Sequence, residues 1–223
     1  MRIAEIFYSI QGEGSLVGVP SVFVRTSGCN LRCSWCDTPY TSWHPEGDDW
    51  TLERIVSAVD SYPARHVVLT GGEPMIARGV EDLAAALRRG GRHLTIETAG
   101  TVFAPVPCDL MSISPKLANS TPGGDWQDRH EQLRIQPDVL RRLMAAYEYQ
   151  LKFVIANPED IPELRALVQS LPADPARVIL MPEGIHPAIL RERAVWLAEI
   201  CKQAGYRYSP RLHVDLYGNR RAT

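Results

Sequence analysis

Apolar residues along the chain form short runs that alternate with segments in which they recur every three or four positions. The short runs are rich in β-branched and aromatic residues, which is typical of β-strands. We predict strands at Ile3–Tyr8, Ser21–Thr26, His66–Thr70, His93–Glu97, Leu110–Ser114, Leu151–Ile155, Arg177–Met181 and Arg211–Leu216. The spaced positions predict helices at Thr51–Tyr62, Val80–Arg89, Asp138–Tyr147 and Pro187–Ala204, and another that begins at Asn157.

This order of strands and helices favours a mostly parallel sheet, because a helix between two strands returns the chain to the same end of the sheet. About six core strands share some four helices, which is too few for a closed barrel of roughly 250 residues. The Pro- and Gly-rich stretch Lys116–Gln136 is predicted to be a loop. We expect one α/β domain over residues 1–223, folded as a partial, open (β/α) barrel, with a doubly wound sheet as the alternative. In both folds ligands bind at the carboxyl ends of the strands.

Composition and charge exclude several classes of protein. The chain has 223 residues, of which 45% are hydrophobic and 22% charged, so it can bury a core. A net charge of −2 gives no general attraction to nucleic acid. No apolar run approaches the ~20 residues that span a bilayer, and the first residues lack the apolar segment of a secretory signal. We expect a cytoplasmic protein with neither nucleic acid nor membrane as a partner.

Three of the five cysteines, Cys29, Cys33 and Cys36, lie within eight residues in the loop after the second predicted strand. An odd, clustered set is atypical of a disulfide framework and typical of a metal or cluster site. Three thiolates can hold a [4Fe–4S] cluster and leave one iron open to an exogenous ligand. The alternatives are a zinc site with His44 as fourth ligand and a redox dithiol formed by Cys33 and Cys36.

Polar or glycine-rich segments follow several other predicted strands, where ligands are expected. They are Gln11–Gly14, Thr70–Pro74, Glu97–Thr98 and Ser112–Lys116. Two adjacent glycines allow the backbone to approach a ligand closely, and a carboxylate beside hydroxyl groups could hold a ribose. Arg25 could clamp a substrate carboxylate through two hydrogen bonds, or it could form an ordinary ion pair. Neither a Walker loop nor a G-x-G-x-x-G fingerprint is present, which argues against a nucleotide-phosphate site.

In this order, the motifs resemble the radical S-adenosylmethionine (SAM) superfamily and, within it, the 7-carboxy-7-deazaguanine synthase family. The segments that carry the resemblance are Ile10–Gly14, Val24–Leu31, Cys33–Thr38, Thr70–Pro74, Ile96–Thr98 and Ile113–Lys116. Weaker agreement continues through Leu151–Val154, Leu212–His213 and Tyr217–Asn219. Each motif alone is shared by many radical enzymes, whereas their joint order is specific.

The resemblance implies a reduced TIM-type radical SAM core, a homodimer and a defined reaction. S-adenosyl-L-methionine is cleaved reductively at a [4Fe–4S] cluster, and the resulting radical abstracts a hydrogen atom from 6-carboxy-5,6,7,8-tetrahydropterin. The ring then contracts and loses ammonia to give 7-carboxy-7-deazaguanine, a step of queuosine and deazapurine biosynthesis. The implied cofactors are the cluster, S-adenosyl-L-methionine and Mg²⁺, and the implied electron donor is a reducing partner such as flavodoxin.

The resemblance also assigns roles to individual residues. Cys29, Cys33 and Cys36 would bind the cluster, and Thr38 would offer Mg²⁺ a hard oxygen ligand. The residues that would bind S-adenosylmethionine are Gly72, Glu97, Ser114, Pro115 and Lys116, with Met181, Pro182, Glu183 and Gly184 as a looser match. The residues that would contact the pterin are Ile10, Gln11, Gly12, Glu13, Arg25 and Thr70.

Two other functions are compatible with part of the pattern. An activase that makes a glycyl radical on a partner protein has a similar size and the same cysteine spacing. It gives no reason for Gln11, Glu13, Arg25 and Thr38 in this arrangement. A zinc- or thiol-containing binding module without catalysis is the alternative from another class, and metal analysis distinguishes it from an iron–sulfur enzyme.

Overall fold

The computed structural model describes the whole chain, residues 1–223, as one sheet with helices and loops packed around it. The strands are β1 Arg2–Ile10, β2 Pro20–Thr26, β3 Asp48–Asp49, β4 His66–Gly71, β5 His93–Thr98, β6 Leu110–Ile113, β7 Tyr149–Ile155, β8 Val178–Pro182 and β9 Arg207–Tyr208. The α-helices are α1 Pro39–Ser42, α2 Leu52–Asp60, α3 Val80–Arg89, α4 Gln127–Arg134, α5 Pro137–Ala146, α6 Ile161–Ser170, α7 Pro187–Ala204 and α8 Leu212–Tyr217.

The sheet has the order β3-β1-β2-β4-β5-β6-β7-β8-β9 and does not close, because β3 and β9 are its two edges. From β2 to β9 all neighbouring strands are parallel, whereas β1 is antiparallel to both β2 and β3. The order of the parallel strands never reverses, as it would in a doubly wound sheet. The predicted partial, open barrel is therefore confirmed.

The core lies between the sheet and its helices. All residues of β6 and β8 are buried, as expected for parallel strands that are covered on both faces. Helix α2 buries Ile55 and Val59 on one side, and the Thr51 side chain caps its first turn by accepting from the Arg54 amide at 3.2 Å. None of the helices combines the length and apolar character that a bilayer span requires. The packed core thus holds in place the carboxyl ends of the parallel strands, and the loops that follow these strands lie close together.

Two sequence predictions are wrong. The segment Arg211–Leu216 lies mostly in helix α8, which begins at Leu212, instead of a strand; contacts of Arg211 with Glu13 and of the Leu212 amide with Gly12 O outweigh its alternating apolar pattern. The stretch Lys116–Gln136 contains α4 and two 3₁₀ turns, Ala118–Ser120 and Gly124–Trp126, instead of a plain loop. Helix α4 buries only His130, so no apolar periodicity could reveal it.

Candidate active site

A cavity of about 560 Å³ opens at the carboxyl ends of the parallel strands. All the site residues predicted from the sequence line it except Pro115, Pro182 and Gly184. Residues 219–223 and the loop that carries the cysteines also form part of its lining. All five polar segments that follow predicted strands, including the cysteine loop, thus contribute to one cavity together with the end of β8. Such a concave site at the strand ends, with convergent polar groups, is typical of a small-molecule binding site.

Cys29, Cys33 and Cys36 are free thiols along one side of this cavity. Burial raises the pKa of Cys29 to about 12 and that of Cys33 to about 11, because a thiolate is poorly solvated there. The Leu31 amide is directed at Cys29 Sγ at 3.4 Å, and Ser42 Oγ lies 3.2 Å from Cys36 Sγ. The three sulfurs are therefore poised for a positively charged group that would stabilise them as thiolates.

The donor set fits an iron–sulfur cluster better than a structural zinc ion. Three thiols face open space, and His44 is not among the residues that line the cavity. No group of three or more His, Cys, Asp or Glu side chains is arranged around a single ion position. A structural zinc site needs four such ligands, whereas a [4Fe–4S] cluster held at three corners keeps one iron accessible from the cavity.

The segment Lys116–Gln136, which the sequence predicts to be a loop, packs against the cysteine loop and forms hydrogen bonds with it. The buried His130 of α4 accepts at Nδ1 from the Arg32 amide at 3.2 Å, and Ser120 O accepts from the Ser34 amide at 2.8 Å. These bonds fix the backbone on both sides of Cys33. Sequence reasoning missed this support because nothing in the local pattern connects His130 with a loop about a hundred residues away.

The Gly71-Gly72 pair lies where the turn after β4 crosses the start of the cysteine loop. Gly71 has φ +140°, and a Cβ atom there would lie 2.2 Å from Thr26 O. A Cβ atom on Gly72 would lie 2.1 Å from Gly28 O and 2.7 Å from Thr41 O. Both glycines are thus required by the close passage of two chain segments, in addition to any contact that Gly72 makes with a ligand.

Glu73, the next residue, points away from the cavity and connects two strand ends. Its carboxylate accepts from the Met75 amide at 3.0 Å, Thr98 Oγ1 at 2.8 Å and the Ala99 amide at 2.8 Å. Burial raises the pKa of Glu73, although these three donors oppose the shift. The Gly-Gly-Glu motif is therefore a structural clamp between β4 and β5 that holds the cavity wall.

A chain of buried charges crosses the floor of the cavity. Lys152 Nζ donates to Glu97 Oε2 at 2.9 Å and to Glu13 Oε2 at 2.7 Å. Arg211 Nε donates to Glu13 Oε1 at 3.0 Å, and the same guanidinium pairs with Asp37. Burial alone would raise the pKa of Glu13, but Lys152 and Arg211 hold the pKa well below its usual range. Glu13 is therefore a fixed anion in this site.

Sequence reasoning gave no role to Lys152, Arg211, Asp37 or His213, which all line the cavity. Lys152 could have been suspected, because a lysine inside an apolar strand is costly unless it is paired. A role for Arg211 could not be suspected, because the alternating pattern of its segment predicts a strand. His213 packs so closely on Gly12 that a Cβ atom there would lie 1.9 Å from its Nδ1.

Arg25 forms the ion pair considered from the sequence, and its role as a carboxylate clamp stays a prediction. Its Nε donates to Glu5 Oε1 at 2.6 Å, so an ion pair exists. Glu5 also accepts from Tyr40 Oη at 2.8 Å and from Arg221 Nε at 3.2 Å. No hydrogen bond involves the two terminal nitrogens of Arg25, and the residue lines the cavity. Those nitrogens are available to a carboxylate ligand.

The remaining predicted residues occupy the other walls. Lys116 Nζ donates to Ser114 Oγ at 2.9 Å, at the end of β6. Thr38 Oγ1 lies 3.9 Å from Cys36 Sγ, so an oxygen donor stands directly beside the cysteine loop. Glu183 lines the cavity but pairs with Arg193 of α7. Gly184 contributes through its backbone, since its carbonyl accepts from Arg211 Nη1 at 2.7 Å. The other lining residues of the predicted set are Ile10, Gln11, Thr70 and Met181.

Comparison with known proteins agrees with this geometry. Residues 23–129 match the model of the radical SAM superfamily. The chain is 45% identical to a 7-carboxy-7-deazaguanine synthase of Rhodopirellula baltica, over 100% of this chain and 89% of that protein. It is 46% identical to one of Halobacterium salinarum, over 98% of this chain and 91% of that protein.

Among solved structures, the crystal structure of QueE from Escherichia coli superposes with a TM-score of 0.74 and 27% identity, over 95% of this chain and 94% of that one. The structure of Streptococcus suis SuiB bound to S-adenosylmethionine gives a TM-score of 0.54 at 15% identity, over 82% of this chain and 48% of that one. The second likeness concerns the fold alone.

Proposed function

Because the chain belongs to the 7-carboxy-7-deazaguanine synthase family of radical SAM enzymes, we propose that its cavity contracts the ring of 6-carboxy-5,6,7,8-tetrahydropterin with the help of Mg²⁺. The product would be 7-carboxy-7-deazaguanine, and ammonia would leave. The observation that carries the proposal is the convergence of the three-cysteine loop, Glu97, Lys116 and Arg25 on one cavity. The family implies a [4Fe–4S] cluster and S-adenosylmethionine, which when bound supply an electron and a carbon radical that abstracts hydrogen.

On the cofactor side, Cys29, Cys33 and Cys36 hold the cluster, and the loop supported by α4 keeps them fixed. Glu97 accepts from the ribose hydroxyls of S-adenosylmethionine, with Gly72, Ser114, Pro115 and Lys116 around the rest of the molecule. The loop Met181–Gly184 contributes less, because the Glu183 carboxylate is already paired with Arg193. These residues would hold S-adenosylmethionine beside the cysteine loop, and the cavity would limit the access of water to it.

On the substrate side, the free terminal nitrogens of Arg25 bind the pterin carboxylate through two parallel bonds. Gln11, Glu13 and Thr70 would give directional hydrogen bonds to the ring, and Ile10 and Gly12 would contact it. Thr38 would supply a hard oxygen ligand to Mg²⁺, whose charge would help to hold the substrate carboxylate. The position of Thr38 Oγ1, 3.9 Å from Cys36 Sγ, supports this role.

We further propose that the protein acts in the cytoplasm as a homodimer of single-domain chains and receives electrons from a reductant such as flavodoxin. The resemblance to the family supports these statements. Light scattering of the purified protein tests the dimer, and reduction by flavodoxin in place of dithionite tests the electron donor.

The function is tested by an anaerobic assay with reconstituted protein, S-adenosylmethionine, dithionite, Mg²⁺ and the carboxytetrahydropterin. We expect a product that has lost ammonia in the mass spectrum. Accumulation of 5′-deoxyadenosine without that product would refute the substrate while leaving the radical chemistry. Cys108→Ala is the matched control for variants of the cysteine loop, since Cys108 lies outside the cavity.

A further inference from the structure

Lys152 is a buried cation in contact with two carboxylates that the proposed function gives to different ligands. Its side chain is 5% exposed, and it lies on β7, a strand of largely buried residues. Its Nζ donates to Glu13 Oε2 at 2.7 Å and to Glu97 Oε2 at 2.9 Å. Glu13 belongs to the pterin side and Glu97 to the S-adenosylmethionine side. One ammonium group therefore joins the two binding sites.

A second connection runs beside the first. Gln11 Nε2 donates to Glu97 Oε1 at 3.4 Å, and Gln11 Oε1 accepts from the Glu13 amide at 3.2 Å. The longer distance makes this connection the weaker one, because hydrogen bonds between ionised groups are shorter and stronger than neutral ones. The Lys152 bridge is accordingly the principal link.

The bridge also decides where the two carboxylates can lie. Without the ammonium, Glu13 and Glu97 would be two anions on one buried wall and would repel each other. With the ammonium present, each carboxylate accepts a hydrogen bond from the same nitrogen atom. A change in the orientation of one carboxylate therefore changes the orientation of the other. Ser112 Oγ, at 2.9 Å from Glu97 Oε2, restricts Glu97 further.

We propose that Lys152 is a positioning residue that couples the two ligands, so that S-adenosylmethionine and the pterin each increase the affinity of the protein for the other. The inference rests on the proposed function. A ligand that donates a hydrogen bond to Glu97 fixes that carboxylate, Lys152 and Glu13 together. The second ligand then meets a site that is already ordered and loses less conformational freedom on binding.

The experiment is anaerobic calorimetry on the reconstituted protein without a reductant, so that both ligands bind and neither reacts. The Kd of S-adenosylmethionine is measured with and without saturating 6-carboxy-5,6,7,8-tetrahydropterin, and the Kd of the pterin with and without S-adenosylmethionine. We expect both ratios to be equal, as linkage requires, and to be at least about fivefold.

Lys152→Met should bring both ratios close to one while each ligand alone still binds. Lys152→Arg should keep a Kd ratio above one, because it preserves the charge and the two donors. Lys152→Gln replaces Lys152→Met in this test if the methionine variant does not fold. Ser112→Ala is the matched control, since it removes a donor to Glu97 and leaves the bridge. A purely structural role of Lys152 would weaken both ligands and leave the ratios unchanged.

Three results would overturn the inference. Ratios near one in the native protein with both ligands bound would refute the coupling alone. A native ratio in both the Met and Gln variants would refute the role of Lys152. Failure of the native protein to bind the pterin at all would overturn the proposed function and the inference with it.

Discussion

Replacing Gly72 by alanine tests whether the Gly-Gly turn is needed for the packing of the cysteine loop. Gly72 lies on the cavity wall, directly against the backbone that precedes Cys29. The change adds one methyl group and no charge, so its effect reports on space alone. We expect lower stability and poor assembly of the cluster site.

The size of the effect follows from the distances. The new Cβ would lie 2.1 Å from Gly28 O and 2.7 Å from Thr41 O, whereas ordinary contact begins at 3.4 Å. Both neighbours are backbone atoms that cannot swing aside, so overpacking should cost about 1–3 kcal/mol. Gly28 O also accepts from the Glu73 amide at 2.9 Å, and stretching that bond should cost about 1 kcal/mol more. The total is about 2–4 kcal/mol.

The assay is anaerobic calorimetry of the cluster-free protein together with iron analysis after reconstitution. A loss of this size should lower the Tm by roughly 5–15 °C, and iron content should fall with it. Gly123→Ala is the control, because Gly123 has φ −80° and nothing lies within 4 Å of its added Cβ. If Gly72→Ala kept the native Tm and a full complement of iron, the packing argument would be wrong.

Four further predictions concern the site. Cys33→Ala should abolish cleavage of S-adenosylmethionine because the cluster loses an anchor; 5′-deoxyadenosine formed at the native rate would contradict the assignment. Thr38→Ala should keep the cluster and weaken the response to Mg²⁺, measured as activity against Mg²⁺ concentration; an unchanged curve removes Thr38 from the site. Glu5→Gln should loosen Arg25 and weaken pterin binding by about 1.5 kcal/mol, roughly tenfold in Kd; calorimetry that finds the native Kd refutes this. Since the pKa of Glu13 lies below its usual 4.5, its stabilisation is present above about pH 5 and is lost as the pH falls; Glu13→Gln should flatten that acid slope in urea unfolding, and an equally steep slope in the variant would show that another group causes it.

The fold could be predicted because its evidence is local. The parallel strands β2 and β4 to β8 are four to seven residues long and rich in apolar residues, and their length and period distinguish them from helices. Helix α4 and helix α8 were not predicted from the sequence, for opposite reasons. The first buries a histidine in place of apolar residues, and the second alternates apolar and polar residues as a strand does. In both, tertiary contacts outweigh the local pattern.

The site could be predicted where its residues follow strand ends in recognisable motifs, as the cysteine loop and Glu97 do. It could not where a role depends on a partner far along the chain. Arg211 and Glu13 are 198 residues apart, and Lys152 and Glu13 are 139 apart. No pattern in one sequence indicates which residues form these pairs, although a lysine inside an apolar strand, as Lys152 is, indicates that a partner exists.

The segment for which the sequence wrongly predicts a strand, at α8, is the part of the chain that completes the cavity. As an extended strand, residues 211–216 would continue the sheet edge beyond β9 and carry Arg211 away from the strand ends. As a helix that starts just after Pro210, the segment turns back over the cavity, where the Leu212 amide donates to Gly12 O at 2.9 Å and His213 packs on Gly12. Arg211 then reaches Glu13 and Asp37 together, joining the loop after β1 to the cysteine loop. The loop after β1 and the cysteine loop are thus held together across the cavity by a residue from the far end of the chain.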